Sequence, residues 1–416
     1  MEVNRRRWNV LMAMGVILLV LLLLLIFTKA FGALAPDEVE NTFTNTEQEN
    51  ISANDDDSTQ AQPLVSPGDV GQPIEDDEPE EPWWDENELV EYTGPVEHLF
   101  FHPVVAYAEL AFDGDYQANG IDDWMVTAEE YRKILESIYE NDYVLVNMES
   151  LYTETEQSDG TTVMVKNKLM LPEGKKPLII SFDDVNYYDY MRENGFVYKL
   201  IIDENGDIAS WGLDPEGNEV ISRDLDVVTI LDKFVDEHPD FSFRGAMASI
   251  GLTGYEGILG YRTQSGSPNR ESEIEAVKPV IEKLKELGFT FVSHSYSHLD
   301  MSQSSYEKIV SDTEKWLDEV ASLVGNTPVL LYPYGGRVDE NDGAAFKYLQ
   351  SVGFRYFASV GIEPYVNVHS NSPAVCSDRM HPDGTTLRYQ RERYLRFYDA
   401  AEIMDVDVRP DRGYDW

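Results

Sequence analysis

The feature that most constrains the fold is a regular alternation between short apolar runs and helical patterns that end at glycine. A helical pattern over residues 272–287 ends at Gly288, and one over 304–324 ends at Gly325, just before the apolar run 329–332. Glycine commonly follows the last helical residue because it adopts positive φ without steric cost. Alternating strands and helices are typical of βαβ units. The sequence therefore predicts an α/β fold with a parallel sheet or barrel.

One stretch, residues 195–222, breaks this alternation. It contains two turn signals, Asp203-Glu204-Asn205-Gly206-Asp207 and Asp214-Pro215-Glu216-Gly217-Asn218, flanked by alternating apolar residues. This pattern predicts an inserted β-hairpin or a three-stranded flap. Because the insertion follows closely on Asp183-Asp184, we expect it to overhang that face of the domain. In that position the insertion would shape a binding groove. The alternative is that it is a surface insertion without a role in binding.

The N-terminus carries a membrane-targeting segment. Three arginines, Arg5 to Arg7, precede 21 consecutive uncharged residues at positions 8–28. A helix of that length spans a hydrocarbon core of about 30 Å, and the basic flank keeps the N-terminus in the cytoplasm. The alternative is a cleaved signal peptide, since Ala33-Leu34-Ala35 resembles a cleavage site. The first interpretation predicts a single-pass cell-membrane protein with an extracytoplasmic domain, and the second a secreted one.

The stretch after this segment is strongly acidic. Residues 36–97 contain 20 Asp and Glu and neither Lys nor Arg, and the whole chain has a formal net charge of −45. Such a charge repels nucleic acid, so we expect no nucleic-acid partner. Few aliphatic side chains are available there to offset ordering entropy, which predicts disorder. The expected organisation is an anchor at 1–32, a disordered linker at 33–95 and a catalytic domain at 96–416.

Two polar motifs follow predicted buried strands. The apolar run 177–180 leads into Ser181-Phe182-Asp183-Asp184, and the run 289–292 leads to His294 and His298. The carboxyl ends of parallel strands collect the chemistry of α/β folds, so we expect these side chains to meet. One carboxylate and two imidazoles form a ligand set for a divalent metal that leaves a position open for water. The other carboxylate is then free to act as a base.

A third motif and a lone cysteine complete the sequence signals. The run Leu330-Leu331-Tyr332-Pro333-Tyr334-Gly335-Gly336 predicts a strand ending in a tight turn. Such a turn can direct a backbone N–H at a developing oxyanion, while Tyr334 adds an aromatic wall. The single cysteine, Cys376, excludes an intramolecular disulfide and is best explained as a small packed residue. No sequence feature identifies a protein partner.

In this order and spacing, the three motifs resemble those of the polysaccharide deacetylase family (NodB homology domain, carbohydrate esterase family 4), over roughly residues 96–400. The resemblance implies a distorted (β/α) barrel of about seven strands and one divalent metal per chain, usually Zn²⁺. It also implies that Asp183 is the catalytic base and that Tyr334 contributes its backbone amide to the oxyanion hole. The implied metal ligands are Asp184, His294 and His298.

The sequence departs from the family pattern at Val185, where the first motif usually continues with glycine, and at two functional positions. Leu331 stands where many members have the arginine that orients the base, and Arg379 is the candidate for that role here. The late motif that carries the general acid has no clean counterpart, which leaves His381 and His369 as alternatives. Members of the family often have a histidine near the end of the first strand, so His102 is a further candidate for the site.

The resemblance implies removal of N-acetyl groups from peptidoglycan or another N-acetylhexosamine glycan at the cell surface. Two alternatives remain on the same fold. The missing arginine at Leu331 and the unassigned acid are compatible with a catalytically silent glycan-binding or scaffold domain. The same metal chemistry also cleaves esters, which leaves an O-acetyl esterase open.

Overall fold

The structure is a computed structural model that describes residues 82–416. The predicted membrane segment, residues 8–28, and residues 33–81 of the predicted linker lie outside the described residues. Within residues 82–416, no helix has both the length and the apolar character needed to cross a membrane.

The strands and helices of this region follow in chain order. The strands are β1 Val90–Tyr92, β2 Glu97–Phe101, β3 Tyr143–Leu145, β4 Tyr152–Glu156, β5 Thr162–Lys166, β6 Leu169–Leu171, β7 Lys176–Phe182, β8 Lys199–Ile202, β9 Ile208–Leu213, β10 Glu219–Ser222, β11 Ser249–Leu252, β12 Thr290–Ser293, β13 Val329–Leu331, β14 Tyr356–Val360, β15 Val366–Val368 and β16 Val375–Arg379. The helices are α1 Ala108–Ala111, α2 Ala118–Trp124, α3 Ala128–Glu140, α4 Asp189–Glu193, α5 Val227–Glu237, α6 Arg270–Glu286, α7 Tyr306–Trp316, α8 Ser322–Val324, α9 Ala344–Ser351, α10 Gly384–Tyr389, α11 Arg391–Tyr394 and α12 Ala400–Ile403.

The main sheet is parallel and curls back on itself. Its strands follow the order β2-β7-β11-β12-β13-β14-β16, with β3 added beside β7 and β15 added antiparallel to β16. Strand β2 also meets the chain just after β16, where Leu99 and Met380 form a parallel bridge. The N–H of Phe100 donates to the carbonyl of Met380 at 2.9 Å. This curled sheet with its flanking helices fits the predicted distorted (β/α) barrel.

The two faces of β7 explain how the barrel places polar groups at its mouth. Leu178, Ile180 and Phe182 belong to the apolar layer that packs under the helices, whereas Ile179 belongs to the cluster inside the barrel. Because successive side chains of a strand point to opposite faces, the inward series continues with Ser181. The same alternation directs the next odd-numbered side chain, that of Asp183, into the barrel mouth.

The structured body begins earlier than the predicted boundary at residue 96. Strand β1 pairs antiparallel with β6, and the indole N–H of Trp83 donates to the carbonyl of Ser242 at 3.0 Å. The rings of Trp83 and Trp84 both pack near Phe243. Residues 82–95 are therefore part of the folded body. The acidic composition of this stretch does not predict this, because the contacts come from its few aromatic side chains.

The sequence has a helical pattern over residues 227–237 that leads into an apolar run over 241–250, and this run predicts a strand. The strand is shorter in the structure. Phe241 and Phe243 are buried, but the chain forms 3-10 turns there, with φ of 57° at Arg244, and β11 begins only at Ser249. An apolar run does not by itself distinguish a strand from a buried turn.

The insertion at 195–222 is a three-stranded antiparallel sheet in the order β10-β9-β8, rather than a simple hairpin. Its strands contact helices α5 and α6. The N–H of Leu200 donates to the carbonyl of Leu259, and the hydroxyl of Tyr261 donates to the carbonyl of Leu200. These contacts hold the insertion against the flank of the barrel.

A buried ion network ties the C-terminal segment to helices α2 and α3. The guanidinium of Arg409 lies 2.6 Å from Glu130 and 2.8 Å from Asp122, and Arg388 lies 3.0 Å from Asp122. All four side chains are fully buried. Burial acts to raise the pKa of Glu130, but Arg409 outweighs it and holds that pKa below its ordinary value. Glu130 therefore depends on Arg409 to stay ionised in the interior, whereas Asp122 pairs with both Arg409 and Arg388.

We expect Arg409→Ala to lower the free energy of unfolding by about 3–5 kcal/mol, because it leaves the buried carboxylate of Glu130 without a cationic partner and removes one of the partners of Asp122. Urea unfolding measures this change. As a control, Lys285→Ala removes the exposed pair with Glu282 and is expected to cost less than about 1 kcal/mol. Equal effects of the two substitutions would show that the network does not stabilise the fold.

Candidate active site

The predicted site residues lie at the carboxyl ends of neighbouring strands of the main sheet. Asp183 and Asp184 follow β7, His294 follows β12, and Tyr334 follows β13. Arg379 is the last residue of β16. Parallel strands bring these ends to one mouth of the barrel, which is where α/β barrels carry their chemistry.

The three predicted metal ligands come together. One donor atom each from Asp184, His294 and His298 lies within 4.8 Å of the other two. The Nδ1 atom of His294 lies 2.9 Å from the carbonyl of Leu331. Because a carbonyl only accepts, Nδ1 carries the proton and Nε2 keeps a free lone pair. A carboxylate and two imidazoles of this kind fit a divalent cation with an open coordination position.

The carboxylate of Asp184 is oriented by Tyr188, which lies four residues further along the chain. The hydroxyl of Tyr188 donates to its Oδ1 at 2.6 Å and also lies 2.7 Å from the hydroxyl of Thr253. The other oxygen, Oδ2, lies 3.5 Å from Nε2 of His298. Burial acts to raise the pKa of Asp184, but the nearby histidines outweigh it and lower the pKa. The carboxylate is therefore held ionised, as a metal ligand requires.

The loop between the two histidines is held by Asp312 on α7. Its carboxylate accepts from the backbone N–H of Tyr296 at 2.6 Å and from that of Ser297 at 3.0 Å. The hydroxyl oxygen of Ser295 accepts from the N–H of Leu299 at 2.7 Å. These hydrogen bonds replace regular helical bonds and bring both imidazoles to one point.

Positive φ angles concentrate at the site. Asp184, Ser295, His298 and Tyr334 have φ of 60°, 56°, 53° and 57°. Residues other than glycine rarely adopt this left-handed conformation, which costs of the order of 1 kcal/mol each. Such strain persists only where surrounding contacts over-determine the backbone, and it clusters at functional sites. The motif residues are thus held in unusual conformations by the fold around them.

Asp183 forms a bidentate ion pair with Arg379. The guanidinium donates to the two carboxylate oxygens at 2.6 and 2.9 Å, and both side chains are buried. Burial acts to raise the pKa of Asp183, but Arg379 and then His294 lower it well below its usual range. Oδ2 of Asp183 also lies 3.7 Å from Nε2 of His294. An ionised carboxylate therefore faces the metal-ligand cluster.

His381 is also brought to the mouth, where it lies between two polar partners. Its Nδ1 lies 3.0 Å from Oδ2 of Asp383, and its Nε2 lies 3.0 Å from Nδ1 of His102. Both ring nitrogens of His381 are therefore engaged. The remaining nitrogen of His102, Nε2, lies 3.9 Å from the carboxylate of Asp184. Burial is the main reason why the pKa of His102 is lowered to about 3, and the neighbouring His381 is the second reason. Of the two imidazoles, His102 presents the free nitrogen nearer the metal ligands.

The other candidate for the general acid lies elsewhere. The ring of His369 packs 5.2 Å from that of Phe346, and its Nε2 lies 3.5 Å from the sulfur of Cys376. That thiol is buried, and burial raises its pKa, in keeping with a packed structural residue. The structure brings His381 to the barrel mouth and does not bring His369 there.

Tyr334 lies at the rim. It is the middle residue of a 3-10 turn, Pro333–Gly335, and 73% of its surface is exposed. Its ring centroid lies 4.5 Å from that of His298. The hydroxyl of Ser359 donates to the carbonyl of Gly335 at 2.8 Å and holds the turn. An exposed aromatic ring thus borders the metal-ligand cluster.

Sequence reasoning missed three residues that support the site: Tyr188, Asp312 and Asp383. Only the last had an available signal, because it lies two positions after His381 in His381-Pro382-Asp383. Tyr188 approaches the site from the segment before α4, and Asp312 approaches it from α7. No residue spacing in the sequence predicts either contact.

We expect Tyr188→Phe to weaken the binding of Zn²⁺ about 10–100-fold, because it removes the hydrogen bond that orients Asp184 while keeping the aromatic ring. Competition with a chromogenic chelator measures this affinity. The control is Tyr190→Phe, which alters a tyrosine stacked 5.9 Å from Tyr188 and is expected to leave the affinity unchanged. Equal affinities in wild type and Tyr188→Phe would contradict this role.

Several solved structures share limited similarity with this chain. The deacetylase PplD of Streptococcus pyogenes, in complex with acetate, is 15% identical, with 71% of this chain and 95% of that chain covered and a TM-score of 0.40. IcaB from Ammonifex degensii is 13% identical, with 71% and 94% covered and a TM-score of 0.38. The putative polysaccharide deacetylase BA0330 of Bacillus anthracis is 15% identical, with 70% and 66% covered and a TM-score of 0.39. Similarity at this level does not bear on function.

No curated protein matches the chain. A sequence model of the family described as polysaccharide deacetylase matches residues 266–357. The matched stretch contains His294, His298 and Tyr334, and it ends before Arg379. This match confirms the resemblance to the polysaccharide deacetylase family that the sequence motifs predict.

Proposed function

We propose that this protein is a metal-dependent hydrolase that removes N-acetyl groups from a cell-surface or cell-wall polysaccharide. One observation carries the proposal: a carboxylate and two histidines converge within 4.8 Å, beside a second carboxylate that Arg379 holds in its ionised form. The family match over residues 266–357 supports a hydrolase of the deacetylase kind. N-acetylglucosamine or N-acetylmuramic acid in peptidoglycan, or a related glycan, is the proposed substrate.

In this proposal Asp184, His294 and His298 hold one divalent cation, with Zn²⁺ as the first choice for two imidazoles and one carboxylate. When bound, such a cation lowers the pKa of a water molecule toward neutrality and polarises the acetamide carbonyl. The residues that hold it are already arranged for the task, since the Nδ1 proton of His294 is tied to Leu331 and the carboxylate of Asp184 to Tyr188.

Asp183 takes the proton of the attacking water. Its carboxylate faces the metal ligands and stays ionised far below neutral pH because Arg379 lowers its pKa. The bidentate contact also prevents the carboxylate from rotating, so that its lone pairs keep one direction. Tyr334 is proposed to supply its backbone N–H to the oxyanion, and its exposed ring to border the sugar.

His102 is proposed to pass to the leaving amine, through Nε2, the proton that Asp183 takes from the attacking water, and His381 acts through it. The Nδ1–H of His381 donates to Asp383, so its Nε2 accepts from Nδ1–H of His102. This arrangement leaves Nε2 of His102 as the nitrogen that faces the site. His381 and Asp383 then orient His102 through its Nδ1–H, as the partner carboxylate orients the imidazole in other histidine relays.

The location outside the cytoplasm is part of the proposal and rests on the sequence. Residues 8–28 are proposed as a membrane anchor, and the acidic residues that follow as a tether to the catalytic body.

We expect Asp183→Asn to lower the rate of acetate release from N-acetylated chitooligosaccharides or peptidoglycan fragments at least about 100-fold, because no group remains to accept the proton of water. Enzymatic acetate determination, with metal analysis of each protein, makes the measurement. The control is Asp378→Asn, which alters the neighbour of Arg379 that pairs with Arg337 instead.

A near-normal rate in Asp183→Asn with metal bound would show that Asp183 is not the base. Acetate release by the wild type from O-acetylated substrates alone would identify an esterase. No release from any substrate, with no metal bound, would favour the glycan-binding alternative.

We expect His102→Asn to lower kcat by about 100-fold or more, and His381→Asn to lower it less, because His381 acts only through His102. The control is His369→Asn, which lies outside the site and is expected to keep the wild-type rate. A larger loss in His381→Asn than in His102→Asn would assign the proton donor to His381 instead.

A further inference from the structure

We propose that His98 and Ser181, inside the barrel, are positioning residues that hold the guanidinium of Arg379 and, through it, the carboxylate of Asp183. The inference rests on the proposed function, because it concerns how the base of that reaction is oriented. Ser181 is the first residue of the Ser181-Phe182-Asp183-Asp184 motif, but the sequence gives it no role, and no motif contains His98.

A chain of hydrogen bonds connects these four side chains. Nη1 of Arg379 lies 2.6 Å from Oδ1 of Asp183 and 3.1 Å from Oγ of Ser181. Oγ of Ser181 in turn lies 3.0 Å from Nε2 of His98. The chain therefore runs from the base, through the guanidinium, to a histidine on the first strand of the barrel.

The direction of every bond in this chain follows from the chemistry of its members. A guanidinium only donates, so Ser181 accepts from Arg379. The serine hydroxyl then has its own proton to donate, and the ring nitrogen of His98 is the acceptor within reach. His98 must for this purpose be neutral, with its proton on Nδ1. Burial, followed by the charge of Arg379, lowers the pKa of His98 well below its ordinary value, which favours the neutral ring.

The hydrogen-bond chain is buried, and together with an aromatic ring it holds the guanidinium of Arg379 from inside the barrel. His98 is 5% exposed, while Ser181 and Arg379 have no exposed surface. The centroid of the Phe100 ring lies 4.2 Å from the guanidinium carbon, so one face of the planar group is covered by an aromatic ring. The ring of Phe100 restrains the guanidinium plane, and Ser181 fixes its rotation within that plane. The orientation of Asp183 depends on both.

A cavity next to His98 makes this position suitable for substitution. The cavity has a volume of about 240 Å³ and is lined by His98, Ile179, Tyr356, Val375 and Ser377, among others. A side chain of different shape at His98 can therefore be accommodated in existing space. Ser377 lines the same cavity but is not part of the hydrogen-bond chain, which makes it a matched control for Ser181.

The first test is Ser181→Ala, which removes a single oxygen atom. We expect kcat for acetate release from an N-acetylated chitooligosaccharide to fall roughly tenfold, because the guanidinium of Arg379 loses its hydrogen bond to Ser181. KM and the stoichiometry of bound Zn²⁺ are expected to stay within about twofold of wild type. Ser377→Ala is expected to change neither kcat nor KM. A kcat for Ser181→Ala equal to that of Ser377→Ala would overturn the inference.

The second test separates hydrogen bonding from packing at His98. In His98→Gln the side-chain carbonyl still accepts from Ser181, whereas in His98→Leu no acceptor remains. We expect His98→Gln to keep most of kcat and His98→Leu to lose roughly tenfold. Equal losses in both variants would show that His98 acts by packing alone. Absence of acetate release by the wild type would refute the proposed function instead, so the two failures are distinguishable.

Discussion

The bidentate pair of Arg379 and Asp183 is the interaction on which the arrangement of the barrel mouth depends. It joins the last strand of the barrel to the strand that supplies both carboxylates of the site. Both groups are buried, and an unpaired charge in such a place costs several kcal/mol. The pair is satisfied only when β7 and β16 lie on either side of β2, as the bridge between Leu99 and Met380 arranges them. Closure of the sheet and orientation of the proposed base are thus one physical requirement.

The remaining site residues are held in place by contacts with distant parts of the chain. Positive φ angles at Asp184 and His298 would not persist in an isolated peptide. Asp312 bonds the backbone between the two histidines, and Leu331 accepts the Nδ1 proton of His294. Each of these contacts comes from a different strand or helix. The strain at the motif residues is therefore offset by the tertiary structure as a whole.

Much of the fold and of the site could be predicted because two patterns are local: the periodicity of apolar residues, and polar residues that directly follow buried strands. The helical pattern over 227–237 corresponds to α5 without a shift of a single residue, since its apolar periodicity and its N-cap residue, Asp226, agree. The convergence of Asp184 with His294 and His298 was expected because each follows a buried strand. By contrast, the apolar run 241–250 contains two buried phenylalanines in 3-10 turns, and local hydrophobicity does not distinguish such turns from a strand.

The sequence by itself determined the order of strands and helices, the strand ends that carry polar residues, and the donor types available for a metal. These follow from periodicity and from the chemistry of single side chains. Only the tertiary structure decided which histidine presents a free nitrogen to the site, and which residues support Asp183 from inside the barrel. His102 and His381 are 279 positions apart in the chain, and Ser181 and Arg379 are 198 apart. Hydrogen bonds between residues so distant depend on strand register and barrel closure, which no local pattern encodes.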